Sequence, residues 1–125
     1  MRRVLILLAI ALGASAGASA DGMLDPSFGN GGLVTTDFPE GGPFSGDGAS
    51  SLVMLSDGRA VAAGAMGDVD GHAMAAVRYL TSGDLDTTFS GDGRASVGGC
   101  SSIGAGGGAS AALLQPDGRL VLVGE

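Results

Sequence analysis

Ser51 to Gly64 reads SLVMLSDGRAVAAG: an apolar run, an Asp-Gly pair and a second apolar run. This is a hairpin signature, because a two-residue turn needs φ > 0 at its centre and Asp-Gly supplies that conformation cheaply between two strand-like runs. The same device returns 60 residues later. Ala111 to Gly124 reads AALLQPDGRLVLVG, with Asp117, Gly118, Arg119, Val121 and Gly124 in the places of Asp57, Gly58, Arg59, Val61 and Gly64.

Working outward, GMLDPSFGNGGLVTT from Gly22 aligns without gaps to GDLDTTFSGDGRASV from Gly83, matching Leu24, Asp25, Phe28 and Gly32 to Leu85, Asp86, Phe89 and Gly93 at an offset of 61. Self-similarity at such a period is the mark of repeat architectures. Within one unit four strands are expected: Leu33 to Asp37, Ser51 to Leu55, Arg59 to Gly64 and His72 to Leu80. Between them lie a Gly/Pro loop from Pro39 to Gly48, a tight turn at Asp57-Gly58 and a Gly/Asp loop from Met66 to Gly71. Thr81 to Phe89 links one unit to the next, and Asp92-Gly93 and Asp117-Gly118 supply further turns. Ser51 to Leu55 and Leu120 to Val123 are apolar at nearly every position, which predicts strands covered on both faces. His72 to Leu80 alternates, and no stretch after residue 20 sustains a helical period.

The fold class expected is all-β, built from four-stranded antiparallel repeats resembling β-propeller blades. Residues 21–82 form a complete unit and residues 83–125 a truncated one. A β-solenoid coil is usually shorter than this period, and a sandwich need not repeat itself.

Residues 1–20 stand apart. Arg2 and Arg3 precede an apolar core from Val4 to Leu12 and a small-residue run ending Ala18-Ser19-Ala20, the layout of a secretory signal peptide cleaved after Ala20. Export to the periplasm, cell surface or medium is therefore expected, and no later apolar run is long enough to span a bilayer. Cleavage leaves Arg59, Arg78, Arg94 and Arg119 against thirteen acidic residues, a balance that disfavours nucleic acid and anionic membrane surfaces as partners. The single cysteine, Cys100, cannot close an intrachain bridge. Glycine makes up 25 of 125 residues, and its recurrence at fixed offsets from Asp points to turn positions rather than to a disordered linker.

Several motifs in combination resemble the delta-60 repeat of bacterial secreted proteins. They are Leu24-Asp25-Pro26-Ser27-Phe28, Leu85-Asp86-Thr87-Thr88-Phe89, Ala75-Ala76-Val77-Arg78-Tyr79 and Pro116-Asp117-Gly118-Arg119. The resemblance covers almost the whole chain after residue 20 and implies a β-propeller-like domain of many repeats, in a family with no assigned activity. The chain departs from strict repetition at Ser56 against Pro116, at Ser90 against Gly29 and in the glycine-laden stretch Gly98 to Gly108.

Motifs that carry chemistry are sparse. Gly13-Ala14-Ser15-Ala16-Gly17 matches a nucleophile elbow but lies within the signal peptide, and Gly104 to Ala109 matches a loose dinucleotide fingerprint with no room for the helix it requires. His72 is the only histidine, which excludes multi-His metal sites and is read as a half-exposed residue at a strand start. Asp68-Val69-Asp70-Gly71 carries the first beats of a calcium loop, but the closing position holds Tyr79 where an EF-hand needs Glu. Turn chemistry accounts for both carboxylates, so no cofactor is expected, with calcium at Asp68 and Asp70 as the alternative. Asp25 and Asp86 are read as turn caps accepting backbone N–H bonds.

No catalytic residue is assigned. The function expected is a non-enzymatic secreted repeat module presenting loops for binding or surface structure. The alternative is part of a propeller enzyme, a glycan hydrolase or lyase, whose catalytic carboxylates lie in other blades. Since a propeller closes with roughly four to eight blades, the chain reads as part of a longer protein whose further repeats complete the fold. Leu120 to Val123 is accordingly expected to form an apolar edge prone to association.

Overall fold

The computed structural model describes residues 22–39, 46–68, 71–97 and 107–124. These residues contain no α-helix and form six strands: β1 (Gly48–Met54), β2 (Ala60–Asp68), β3 (Gly71–Tyr79), β4 (Arg94–Val97), β5 (Ala109–Leu114) and β6 (Leu120–Gly124). Strands β1 to β4 make one antiparallel sheet in sequence order, and β5 and β6 make a second, two-stranded sheet. Among the described residues no helix is long and apolar enough to cross a membrane.

The two hairpins share their local design. The β1–β2 ladder slips between Ala49 and Ser51, and the β5–β6 ladder slips between Ala109 and Ala111, 60 residues on. The extra residue of each bulge is a serine, Ser50 or Ser110. Gly64 and Gly124 face these bulges, and both are held to glycine by close approach: a Cβ on Gly64 would overlap the Gly48 carbonyl, and one on Gly124 the Gly108 carbonyl.

The turns differ from the two-residue loop expected. Gly58 N donates to Leu55 O at 3.0 Å while Leu55 N donates to Arg59 O at 2.8 Å, so the loop is Ser56-Asp57-Gly58. Only its last residue is left-handed, with Gly58 at φ +86°. This is the three-residue hairpin, a turn closed by a left-handed glycine. Within it the Asp57 Oδ1 accepts the Arg59 amide at 3.1 Å. The second hairpin repeats each feature at Gln115 to Arg119.

A second departure concerns the fourth strand. Leu33 to Asp37 carries no ladder; the sheet is completed instead by β4, 61 residues further on, which pairs with β3 from Met74↔Val97 to Val77↔Arg94. The sheet thus takes strands from both sequence repeats. A strand needs a backbone beside it. β4 has β3, whereas Leu33 to Asp37 lies across a face of the sheet, with Asn30 N on Leu33 O, Thr36 Oγ1 bonded to the Tyr79 hydroxyl and Asp37 O accepting from Arg94 Nε.

The sheet's faces are best named by what covers them. The front carries Leu52, Met54, Ala62, Met66, Ala75, Val77 and Tyr79, and receives Phe38 at one end. The back carries Val53, Leu55, Val61, Ala63 and Ala76, and packs against Ala112, Leu120 and Leu122 of the second hairpin. Subtracting 60 from Ala112, Leu120 and Leu122 gives Leu52, Ala60 and Ala62, which lie on the front. The second hairpin therefore lays its front on the first sheet's back. Ser51 Oγ, accepting the Ala112 amide at 3.0 Å, pins the two layers together.

Continuous coverage of β1 and β6 does not occur. Leu52 and Met54 are 64% and 61% exposed on the front, and Leu113 and Val123 are 50% and 55% exposed on the second hairpin's outer face. Each strand has one covered face, since nothing among the described residues lies over the other. The buried core itself is small: Ala60, Ala63, Ala75, Ala76 and Ala109 with Phe38, Val61, Met66 and Val77. Full burial of one Leu- or Met-sized side chain is worth roughly 1.5–3 kcal/mol, so the exposed apolar side chains are a substantial unrealised contribution.

Candidate functional site

Asp86 is the buried charged residue of the described fold, 3% exposed. Its position follows from local chemistry. Leu85-Asp86-Thr87-Thr88 folds into an Asx turn in which Asp86 Oδ1 accepts the Thr88 amide at 3.1 Å and the Thr88 hydroxyl at 2.6 Å. The Asp86 amide donates to Arg78 O at 2.8 Å, which sews this turn to the end of β3. Its other oxygen, Oδ2, faces two cations: Arg59 Nη1 at 2.6 Å and Arg78 Nε at 2.8 Å. The Arg59 contact is a hydrogen bond, whereas the Arg78 N–H is not aimed along its contact, which acts as a charge pair. Arg78 also stacks over Phe89, 4.9 Å from the ring centre, and its Nη2 donates to Thr88 Oγ1 at 2.9 Å.

These contacts hold the Asp86 carboxyl well below the usual carboxylate range. The Thr88 hydroxyl contributes most, then Arg59; burial acts in the opposite sense, and the Thr88 amide and the Arg78 charge add to the lowering. Arg59 is raised in turn, chiefly by Asp57 and then by Asp86. The arrangement ties the β1–β2 turn, the end of β3 and the Asx turn into one unit. A carboxylate committed to two guanidiniums and a hydroxyl is a structural clamp, with no proton to give at neutral pH.

The counterparts of this clamp are left open. Asp25, 61 residues before Asp86, makes the same turn, accepting the Ser27 amide at 2.9 Å and the Ser27 hydroxyl at 2.6 Å, but it is exposed and no arginine of the described residues reaches it. Arg119, 60 residues after Arg59, bonds to its own Asp117 and has a side chain 79% exposed.

A trough of about 360 Å³ runs along the front, between Val34 to Thr36 and the β2–β3 surface at Ala62, Gly64 and Ala75. Among the described residues lining it, Thr36, Tyr79 and Asp47 are hydrogen-bonded within the fold. The Thr36 and Tyr79 hydroxyls bond to each other at 2.7 Å, and Asp47 accepts the Phe38 and Gly67 amides, each at 3.1 Å.

Asp57, Gly58, Asp92, Gly93, Asp117 and Gly118 all occupy turns: Asp57, Asp92 and Asp117 accept the amide two residues on, and Gly58, Gly93 and Gly118 have φ of +86°, +89° and +82°. Asp25 and Asp86 cap their turns as expected. What the sequence did not disclose is that Asp86 also gathers Arg59 and Arg78, although both arginines stand in repeated motifs. His72 is exposed in β3. Asp70, the Asp68 side chain, Cys100, residues 1–20 and the first half of Gly104 to Ala109 lie outside the described residues. No cluster of three or more potential metal ligands occurs among the described residues. Comparison with family models, with curated proteins and with solved structures finds no match.

Proposed function

We propose that the chain is a secreted β-repeat module of the delta-60 type, non-enzymatic, whose units stack front to back and present their turn-rich loops for binding or for surface structure. The observation that supports this most is the packing of the second hairpin, which lays on the first sheet's back the face whose counterpart forms the front. Such face-to-face packing can be repeated unit after unit, as it is around the ring of a propeller. The buried Asp86–Arg59–Arg78 clamp supports the same reading, because its charges tie the first repeat to the start of the second rather than line a cleft.

The test is to express the full chain for export, purify it, and incubate it with insoluble neutral and acidic polysaccharides and with isolated cell envelopes. The expected result is a released protein whose intact mass lacks residues 1–20 and which is retained on one of these surfaces without liberating reducing ends or unsaturated products. Turnover that a single carboxylate substitution abolishes would replace this reading with the propeller-enzyme alternative.

A further inference from the structure

We infer that a second copy of this chain docks head to tail on the first, the outer face of one copy's β5–β6 hairpin seating on the front of the other copy's four-stranded sheet. Three observations converge. First, the chain already shows what a back face accepts: Val53, Val61 and Ala63 of the back receive Ala112, Leu120 and Leu122, a front face. The outer face of the second hairpin is the counterpart back, with Leu113 opposite Val121 and Ala111 opposite Val123, and it stands open. Second, the sheet's front is covered at one end by Phe38 and the Val34 to Thr36 segment but bare at Leu52 and Met54, which leaves room for a hairpin.

Third, the charges match. Phe28 and Thr36, which flank the segment after Asp25, meet the front at Tyr79, through the edge-on Phe28–Tyr79 pair at 6.2 Å and the Thr36–Tyr79 hydrogen bond. A hairpin docked beside them brings the Arg119 turn of one copy to the unclaimed Asp25 of the other. Their counterparts within the chain, Arg59 and Asp86, are bonded to each other at 2.6 Å. The contact joins two different surfaces, so it is heterologous and can propagate.

This inference rests on the front-to-back stacking reading and is separable from it by sedimentation velocity on the full exported chain. The chain is expected to sediment as a concentration-dependent series from monomer upward. Leu52→Glu blocks the front alone and Leu113→Glu the outer face alone, so each variant is expected to be monomeric. An equimolar mixture of the two retains one good front and one good outer face, and is expected to yield a species of twice the monomer mass that grows no further. Asp25→Arg and Arg119→Asp should each weaken association at least tenfold, and mixing the two should restore it. Far-ultraviolet circular dichroism checks that each variant folds; Met54→Lys and Val123→Lys replace any that does not. A folded wild-type monomer overturns the inference and leaves the intrachain stacking intact. Association that survives both glutamate variants, as edge-to-edge pairing of β6 would, or a mixture that stays monomeric, overturns it equally.

Discussion

Gly64→Ala isolates the bulge geometry shared by both hairpins. In most strands alanine is better than glycine by roughly 0.5–1 kcal/mol. Here the sign reverses, because a Cβ at Gly64 would overlap the Gly48 carbonyl oxygen and lie 2.8 Å from Ala49 Cα and 2.9 Å from Gly48 C. Carbon–carbon contacts need about 3.5–4.0 Å, so β1 must recede by roughly 1 Å at the bulge. Backbone atoms cannot step aside as a side chain can, and the pairs Ala49↔Gly64 and Gly48↔Ala65 are lost with them. Two ladder hydrogen bonds at about 1 kcal/mol each and overpacking of about 1–3 kcal/mol are offset by about 0.5–1 kcal/mol of unfolded-state entropy. The net loss is about 2–4.5 kcal/mol. With a urea slope of about 1–2 kcal/mol/M, the unfolding midpoint falls by about 1–4.5 M. Gly48→Ala is the control, since that position has no left-handed φ and a Cβ there meets nothing within 4 Å; its midpoint should be unchanged or slightly raised. A Gly64→Ala midpoint equal to or above wild type would refute the bulge and the register built on it.

Gly58→Val should cost about 1–3 kcal/mol of backbone strain, and more than Gly118→Val, because a Cβ at Gly58 would also meet Thr81 Cγ2 at 2.9 Å while Gly118 has open space; paired urea melts compare them. Ser90, at φ +55°, holds the left-handed conformation that glycine holds at Gly29, so Ser90→Gly should raise stability by about 0.5–1 kcal/mol and the urea midpoint with it. Asp86, whose carboxyl is depressed in the folded state, contributes stability that is fully present above the unfolded value of about 4 and is lost as pH falls toward the folded value. Wild type should therefore lose urea resistance between about pH 4 and pH 2, whereas Asp86→Asn should be less stable at pH 7 and show a smaller change over that interval.

The hairpins were legible in the sequence because their signal is local: an apolar run, Asp-Gly-Arg and a second apolar run set both strands and the turn between them. The loop length was misjudged because Ser56, which becomes part of it, is not distinctive, and the first residue to turn left-handed is Gly58 rather than Asp57. The fourth strand was misassigned for a non-local reason. Leu33 to Asp37 and Arg94 to Val97 are related by the repeat, so pattern alone gives them the same structure, yet a strand exists only where a neighbour supplies ladder bonds. Coverage failed similarly, since Leu52, Met54, Leu113 and Val123 read as interior but depend on a partner layer for burial. Of the Asp86 clamp, the Asx turn was visible as Asp-x-Thr; that Arg59 and Arg78 converge on one oxygen depends on the β2–β3 register, which places Val61 beside Arg78.

Front-to-back stacking of the second hairpin is most directly tested by methyl–methyl nuclear Overhauser effects in the purified exported chain. Cross-peaks from Leu120 and Leu122 to Val53 and Val61 are expected, because these side chains share one core. They should persist on dilution, as intrachain contacts do. Cross-peaks from Leu113 and Val123 to Val53 and Val61, with none from Leu120 or Leu122, would mean the hairpin packs by its other face, and the stacking account would be wrong.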